Sequence, residues 1–104
     1  MFKVNSKNIT MYEGDYGERL PIRIVQGEIL SGDVLKFIIQ DYGRKNIIEK
    51  VVDVNEESFD FFLTEQETTL LPEGKYLWGL KQYREGLLID TLTANNTFEV
   101  IRGQ

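Results

Sequence analysis

Along this chain, large apolar residues recur at every second position in short bursts. Clusters of glycine, asparagine, aspartate and serine separate the bursts. A period of two marks a strand with one buried face, and no segment sustains the 3.6-residue period of a long helix. The expected strands are Asn8 to Tyr12, Arg19 to Val25, Val34 to Asp41, Asn46 to Val54, Ser58 to Thr64, Lys75 to Arg84, Leu87 to Thr93 and Thr97 to Arg102. Leu20, Ile22 and Ile24 share one face of the second, with Arg19 and Arg23 opposite. Leu35, Phe37 and Ile39 form the inward face of the third. In the fourth, Ile48, Val52 and Val54 align, with Lys50 the exception among them; Ile47 and Val51 lie opposite with Glu49. Phe59, Phe61 and Leu63 alternate with Asp60 and Phe62 in the fifth.

The punctuation supports this division. Pro21 has no amide to give a ladder, so it belongs at an edge, a bulge or a strand start. Thr64 followed by Glu67 has the spacing of a helix cap, which places one helical turn over 65–71. Asn95-Asn96 reads as a turn or a bulge, because asparagine tolerates left-handed backbone angles. The most telling stretch is Leu71-Pro72-Glu73-Gly74-Lys75-Tyr76-Leu77-Trp78-Gly79-Leu80. It is a tight corner leading into a strand that sets Tyr76, Trp78 and Leu80 on one face. A corner tyrosine before a core strand is a hallmark of one class of β-sandwich. The fold class that follows is all-β: a single immunoglobulin-like sandwich over 1–104, built from seven to eight short antiparallel strands.

Composition narrows the chemistry. With 17 acidic and 12 basic residues the formal charge is −5, which disfavours nucleic-acid backbones and anionic membranes as partners. The chain has no cysteine and no histidine. Disulfides, thiolate nucleophiles, His-ligated zinc and the ordinary Ser-His-Asp triad are therefore excluded. No signal peptide precedes the first strand and no run of about 20 apolar residues is present, so the expected compartment is the cytosol of the host cell.

The remaining candidates are few. Glu13, Asp15 and Glu18 sit in a glycine-containing loop where hard oxygen ligands could hold calcium, but without EF-hand spacing; a solvated turn accounts for them. Asp53, Glu56, Glu57 and Asp60 straddle a turn, where paired carboxylates have no cleft to work in. No glycine-rich phosphate loop is present. Tyr76 and Trp78 could form an aromatic platform, yet a corner tyrosine and a core tryptophan explain them. No catalytic residue, metal ligand or cofactor site is expected. An apolar surplus is harder to absorb. Ile38, Phe62, Leu77 and Tyr83 fall on faces that alternation turns outward, and Leu87, Leu88 and Ile89 follow in a row. Either they meet another chain, or loops of this chain cover them.

Several of these segments together carry a resemblance. They are Tyr12-Glu13-Gly14-Asp15, Ser31-Gly32-Asp33-Val34-Leu35-Lys36-Phe37, Leu71 to Trp78, and Thr97-Phe98-Glu99-Val100. Their order resembles small immunoglobulin-like domains of Gram-positive phages and prophages, and is similar to the N-terminal domain of baseplate upper proteins and related tail proteins. The resemblance implies a non-enzymatic virion module with no catalytic residues, contacting other phage structural proteins or itself, first in the bacterial cytoplasm and then in the particle. In such a module Ile38, Phe62, Leu77 and Tyr83 are the candidate interface. Baseplate proteins of this kind normally continue beyond the sandwich into a host-binding or trimerising region, a layout from which this sequence is expected to depart. The alternative is a small acidic phage inhibitor of a host nucleic-acid enzyme, an anti-CRISPR or DNA mimic. It would need Asp53, Glu56, Glu57, Asp60, Glu65, Glu67 and Glu73 to form one patch. A hydrolase is disfavoured by the missing histidine and cysteine.

Overall fold

The computed structural model describes residues 2–24, 29–52 and 58–102. It is a sandwich-like all-β fold. The strands are β1 (Lys3–Asn5), β2 (Asn8–Tyr12), β3 (Leu20–Arg23), β4 (Val34–Gln40), β5 (Asn46–Val52), β6 (Ser58–Phe61), β7 (Gly74–Arg84) and β8 (Leu87–Ile101), with one short helix, α1 (Glu65–Thr68), between β6 and β7. A six-stranded sheet runs in the order β1-β2-β8-β7-β4-β5, and β3 pairs with β6 in a second, two-stranded sheet. The expected strand ends at Val25 and Val54 lie outside the described residues.

Two expectations about the strands need correction. The pairing is not wholly antiparallel, because β2 runs parallel to β8. Nor are all strands short. The expected pair Leu87 to Thr93 and Thr97 to Arg102 is one strand of 15 residues, and β7 has 11. Asn95 takes the left-handed backbone expected of it, with φ 59°. It bulges the strand instead of ending it. Three register shifts separate β7 from β8, and β8 contributes the extra residues each time, around Ala94-Asn95, at Leu92 and at Ile89. The hairpin between these strands closes through Glu85 and Gly86, both at positive φ (53° and 81°). That pair of angles matches the right-handed twist of the strands it joins.

The core follows the alternation of the sequence. Phe37 is fully buried on β4. Its ring stacks on Phe61 of the small sheet (centroids 4.0 Å apart, 22° between planes) and on Trp78 of β7 (4.9 Å, 4°). Phe61 in turn meets the edge of Phe98 on β8 at 6.3 Å. This column ties the two sheets together, and each such ring pair adds about 0.5–1.5 kcal/mol beyond burial. Trp78 also donates from Nε1 to the Lys7 carbonyl (2.8 Å), which satisfies the one polar atom of its indole. At the corner, Tyr76 Oη donates to the Pro72 carbonyl at 2.6 Å. The helical turn is capped as its spacing predicts. Thr64 Oγ1 accepts from the Glu67 amide (3.2 Å), and Glu67 Oε1 accepts from the Thr64 amide (2.8 Å).

Candidate interaction surface

Strand register decides where the four candidate interface residues go. On β4 and β7, Val34 faces Tyr83, Lys36 faces Lys81, Ile38 faces Gly79 and Gln40 faces Leu77. All of these lie on the side of the large sheet turned away from the small one. Ile38, Leu77 and Tyr83 therefore share the outward face, as alternation requires. Phe62 does not. It follows β6 in the small sheet, at the edge of the sandwich near β5, with its ring between Arg19 (guanidinium carbon 4.5 Å from the centroid) and Lys50 (Nζ 4.2 Å).

Ile38 is only 3% exposed. Its strand lies between two others, β5 and β7, and its cross-strand neighbour Gly79 sits under the β8 bulge. A Cβ at Gly79 would come within 2.9 Å of the Thr93 carbonyl oxygen and 3.2 Å of the Ala94 Cα. The bulge occupies the space a side chain would need. Arg44, in the β4–β5 turn, holds the same bulge through a hydrogen bond to Asn95 Oδ1. Coverage within the chain thus accounts for Ile38. Leu77 and Tyr83 are half-buried and stand six residues apart on β7, roughly 20 Å along a strand. They belong to different ends of the face.

Several exposed apolar side chains gather at Tyr83's end. Tyr83 is flanked by Val34 on β4 and Leu88 on β8. Val34 is 37% and Leu88 50% exposed, and the adjacent Leu87 is 70% exposed. The ring of Tyr83 also carries Lys36 Nζ 4.8 Å from its centroid. Sequence reasoning marked Leu87, Leu88 and Ile89 as a run but did not join them to Val34. That step needs the cross-strand register, which no single-strand pattern contains.

A buried carboxylate fixes this end. Asp33 accepts from the Leu30 amide (2.9 Å), from Gln82 Nε2 (2.8 Å), and from Arg84 Nε and Nη2 (2.8 and 2.9 Å). The two bonds from the Arg84 guanidinium, then the Leu30 amide, hold the Asp33 carboxyl well below the usual carboxylate range against the opposing effect of burial. At the other edge, Lys50 donates to the Phe62 carbonyl and to Glu67 Oε1 (2.8 Å). Burial alone would raise the Glu67 pKa. The Lys50 ammonium and the Thr64 amide outweigh it and lower the pKa.

Two of the acidic loop candidates are put to other uses. Glu13 accepts from the Glu73 amide (3.0 Å) and Glu18 from the Phe2 amide (3.2 Å), so these loop carboxylates tie backbone segments together. Among the described residues no three carboxylates gather in a metal-holding group. Of the acidic set proposed for a mimic, Asp53, Glu56 and Glu57 lie outside the described residues, and Glu67 is neutralised by Lys50.

One concave feature was invisible in the sequence. Between β3 and the middle of β8 lies a cavity of about 310 Å³, lined by Leu20, Ile22, Trp78, Leu80 and Leu92 with Lys7. β2 covers only Phe98–Ile101 of β8. Among the described residues, no strand pairs with 87–96 on that side.

Comparison of the chain with protein-family models, with characterised proteins and with solved structures finds no match.

Proposed function

We propose that this chain is a non-enzymatic module of a phage or prophage particle, a tail, baseplate or accessory virion protein. It works through contacts with neighbouring phage structural proteins or with its own copies. The observation that carries this reading is the apolar cluster of Val34, Tyr83 and Leu88 across three adjacent strands, extended by Leu87 at the hairpin. Clustered apolar side chains in water mark an interaction site more often than scattered ones do. They sit on a face stiffened by Asp33, which suits rigid docking better than chemistry. The finer fold assignment, an immunoglobulin-like sandwich, draws support from the Tyr76–Pro72 corner and from the parallel pairing of β2 with β8. Mass spectrometry of particles purified from the encoding strain tests the proposal. The chain at fixed stoichiometry with tail proteins supports it. Absence from particles, with expression early after induction, overturns it in favour of the inhibitor reading.

A further inference from the structure

Around Tyr83 the charges of the outward face follow an order along the strand. Lys81 lies two residues before Tyr83 on β7, and Glu85 two residues after it, at the head of the hairpin turn. The two charges bracket the apolar cross-strand pair of Tyr83 and Leu88. Glu85 is exposed and Lys81 half-buried. Among the described residues neither has an ion-pair partner. Lys36 stands level with Lys81 on β4 and leans over the Tyr83 ring. The apolar cluster therefore has cations at one end and a carboxylate at the other.

We propose that this face docks a second copy of the chain, across a two-fold axis that lies between the two sheets, runs perpendicular to their strands and passes over Tyr83. The β7 strands of the two copies then cross in opposite directions. Tyr83 and Leu88 meet their own counterparts, Lys81 meets the second copy's Glu85, and Glu85 meets the second copy's Lys81. Sheets packed face to face stand about 10 Å apart, a gap that lysine and glutamate side chains together span. One surface thus complements itself, as a two-fold contact requires. Lys36 comes over the uncharged Ser31-Gly32 turn of the second copy. A two-fold axis parallel to the strands would instead lay the Lys36–Lys81 row upon itself, which like charges oppose. An unrelated partner would have to supply a matching order of charges around an apolar centre; a second copy already carries it. The dimer rests on the reading of the chain as a protein-contact module and names the partner for its apolar cluster.

Sedimentation equilibrium over a concentration series tests this on the intact chain and three variants: Lys81→Glu, Glu85→Lys, and the two together. The parent chain should pass from one to two chain masses as concentration rises. Each single variant breaks both symmetric pairs and should weaken the dimer by about fivefold or more. The double variant exchanges the charges and should return to within about twofold of the parent. Net charge alone predicts another pattern. Each exchange moves the charge of −5 by two units, to −7 in Lys81→Glu and −3 in Glu85→Lys, so general repulsion would weaken the first dimer and strengthen the second. Unfolding midpoints measured alongside separate lost association from lost fold. A parent chain that stays monomeric at the highest concentration, a Glu85→Lys dimer tighter than the parent's, or a folded double variant as weak as the single ones overturns the dimer. A monomeric chain that is still found in particles removes the two-fold contact and leaves the virion reading standing. A dimer restored by charge exchange, in a chain absent from particles, does the reverse.

Discussion

Asp33 and Arg84 are joined by two hydrogen bonds of 2.8 and 2.9 Å between the start of β4 and the end of β7. Asp33 also holds the Leu30 amide and the buried Gln82 side chain, so one carboxylate anchors both strands of the face that carries the apolar cluster. Its folded pKa is depressed. The contribution of the ionised group is therefore complete above the unfolded aspartate value of about 4, and is lost as pH falls towards the folded value. Asp33→Asn should lower the denaturant midpoint at neutral pH and give a shallower fall in stability on acidification. An acid profile parallel to that of the parent chain would show that other carboxylates govern it.

Tyr76 makes a narrower case. The chain enters β7 through a bond from Tyr76 Oη to the Pro72 carbonyl, with the ring 7% exposed. Tyr76→Phe keeps the ring and removes the donor, which should cost about 1 kcal/mol in equilibrium unfolding. Burial and then the nearby Glu13 raise the Tyr76 pKa. The neutral phenol is thus favoured in the fold, and its contribution declines as pH rises above the unfolded value of about 10. The difference between Tyr76→Phe and the parent chain should shrink in strongly alkaline solution. A constant difference would place the role of Tyr76 in packing alone.

At Gly79 the limit is space. A side chain there would meet the β8 backbone at Thr93 and Ala94, which is held from the far side by Arg44 through Asn95. Gly79→Ala should destabilise by about 1–3 kcal/mol, the usual range for overpacking a site that cannot relax. Gly86→Ala is a comparison of another kind. It has open space around it but a φ of 81°, so its cost is conformational. Chemical-shift changes confined to 93–96 in Gly79→Ala would confirm that the bulge moves.

How far the sequence could be read follows from the range of each interaction. Alternation in Val34–Gln40 and Gly74–Arg84 marked Leu35, Phe37, Ile39, Tyr76, Trp78 and Leu80 as core, and all six are buried. The Thr64–Glu67 cap was legible because its partners lie three residues apart. Lys3–Asn5 was missed, since three residues are too few to show a period. The continuity of β8 was missed because its bulges break the alternation that signals one strand. Ile38 lies on the expected face, but it is buried within the chain, beside Gly79 and between β5 and β7, which alternation alone does not show. Phe62 fitted the β6 alternation, yet the chain has left the strand at Phe61. The cluster around Tyr83 and the groove beside β8 arise from register between distant segments.

Phe62 and Leu88 now predict opposite outcomes. Phe62 is enclosed by Arg19 and Lys50, and each cation–ring contact contributes about 0.5–1 kcal/mol at a partly exposed site. With the packing also lost, Phe62→Ala should destabilise by about 2 kcal/mol and leave the elution volume and light-scattering mass unchanged. Leu88 is half exposed beside Tyr83. Leu88→Asp should keep stability within about 0.5 kcal/mol of the parent and weaken association with other copies of the chain. Denaturant unfolding and light scattering on both variants separate the two roles. If Phe62→Ala weakens association at unchanged stability, the contact surface lies at the β5–β6 edge and not at the β7–β8 hairpin.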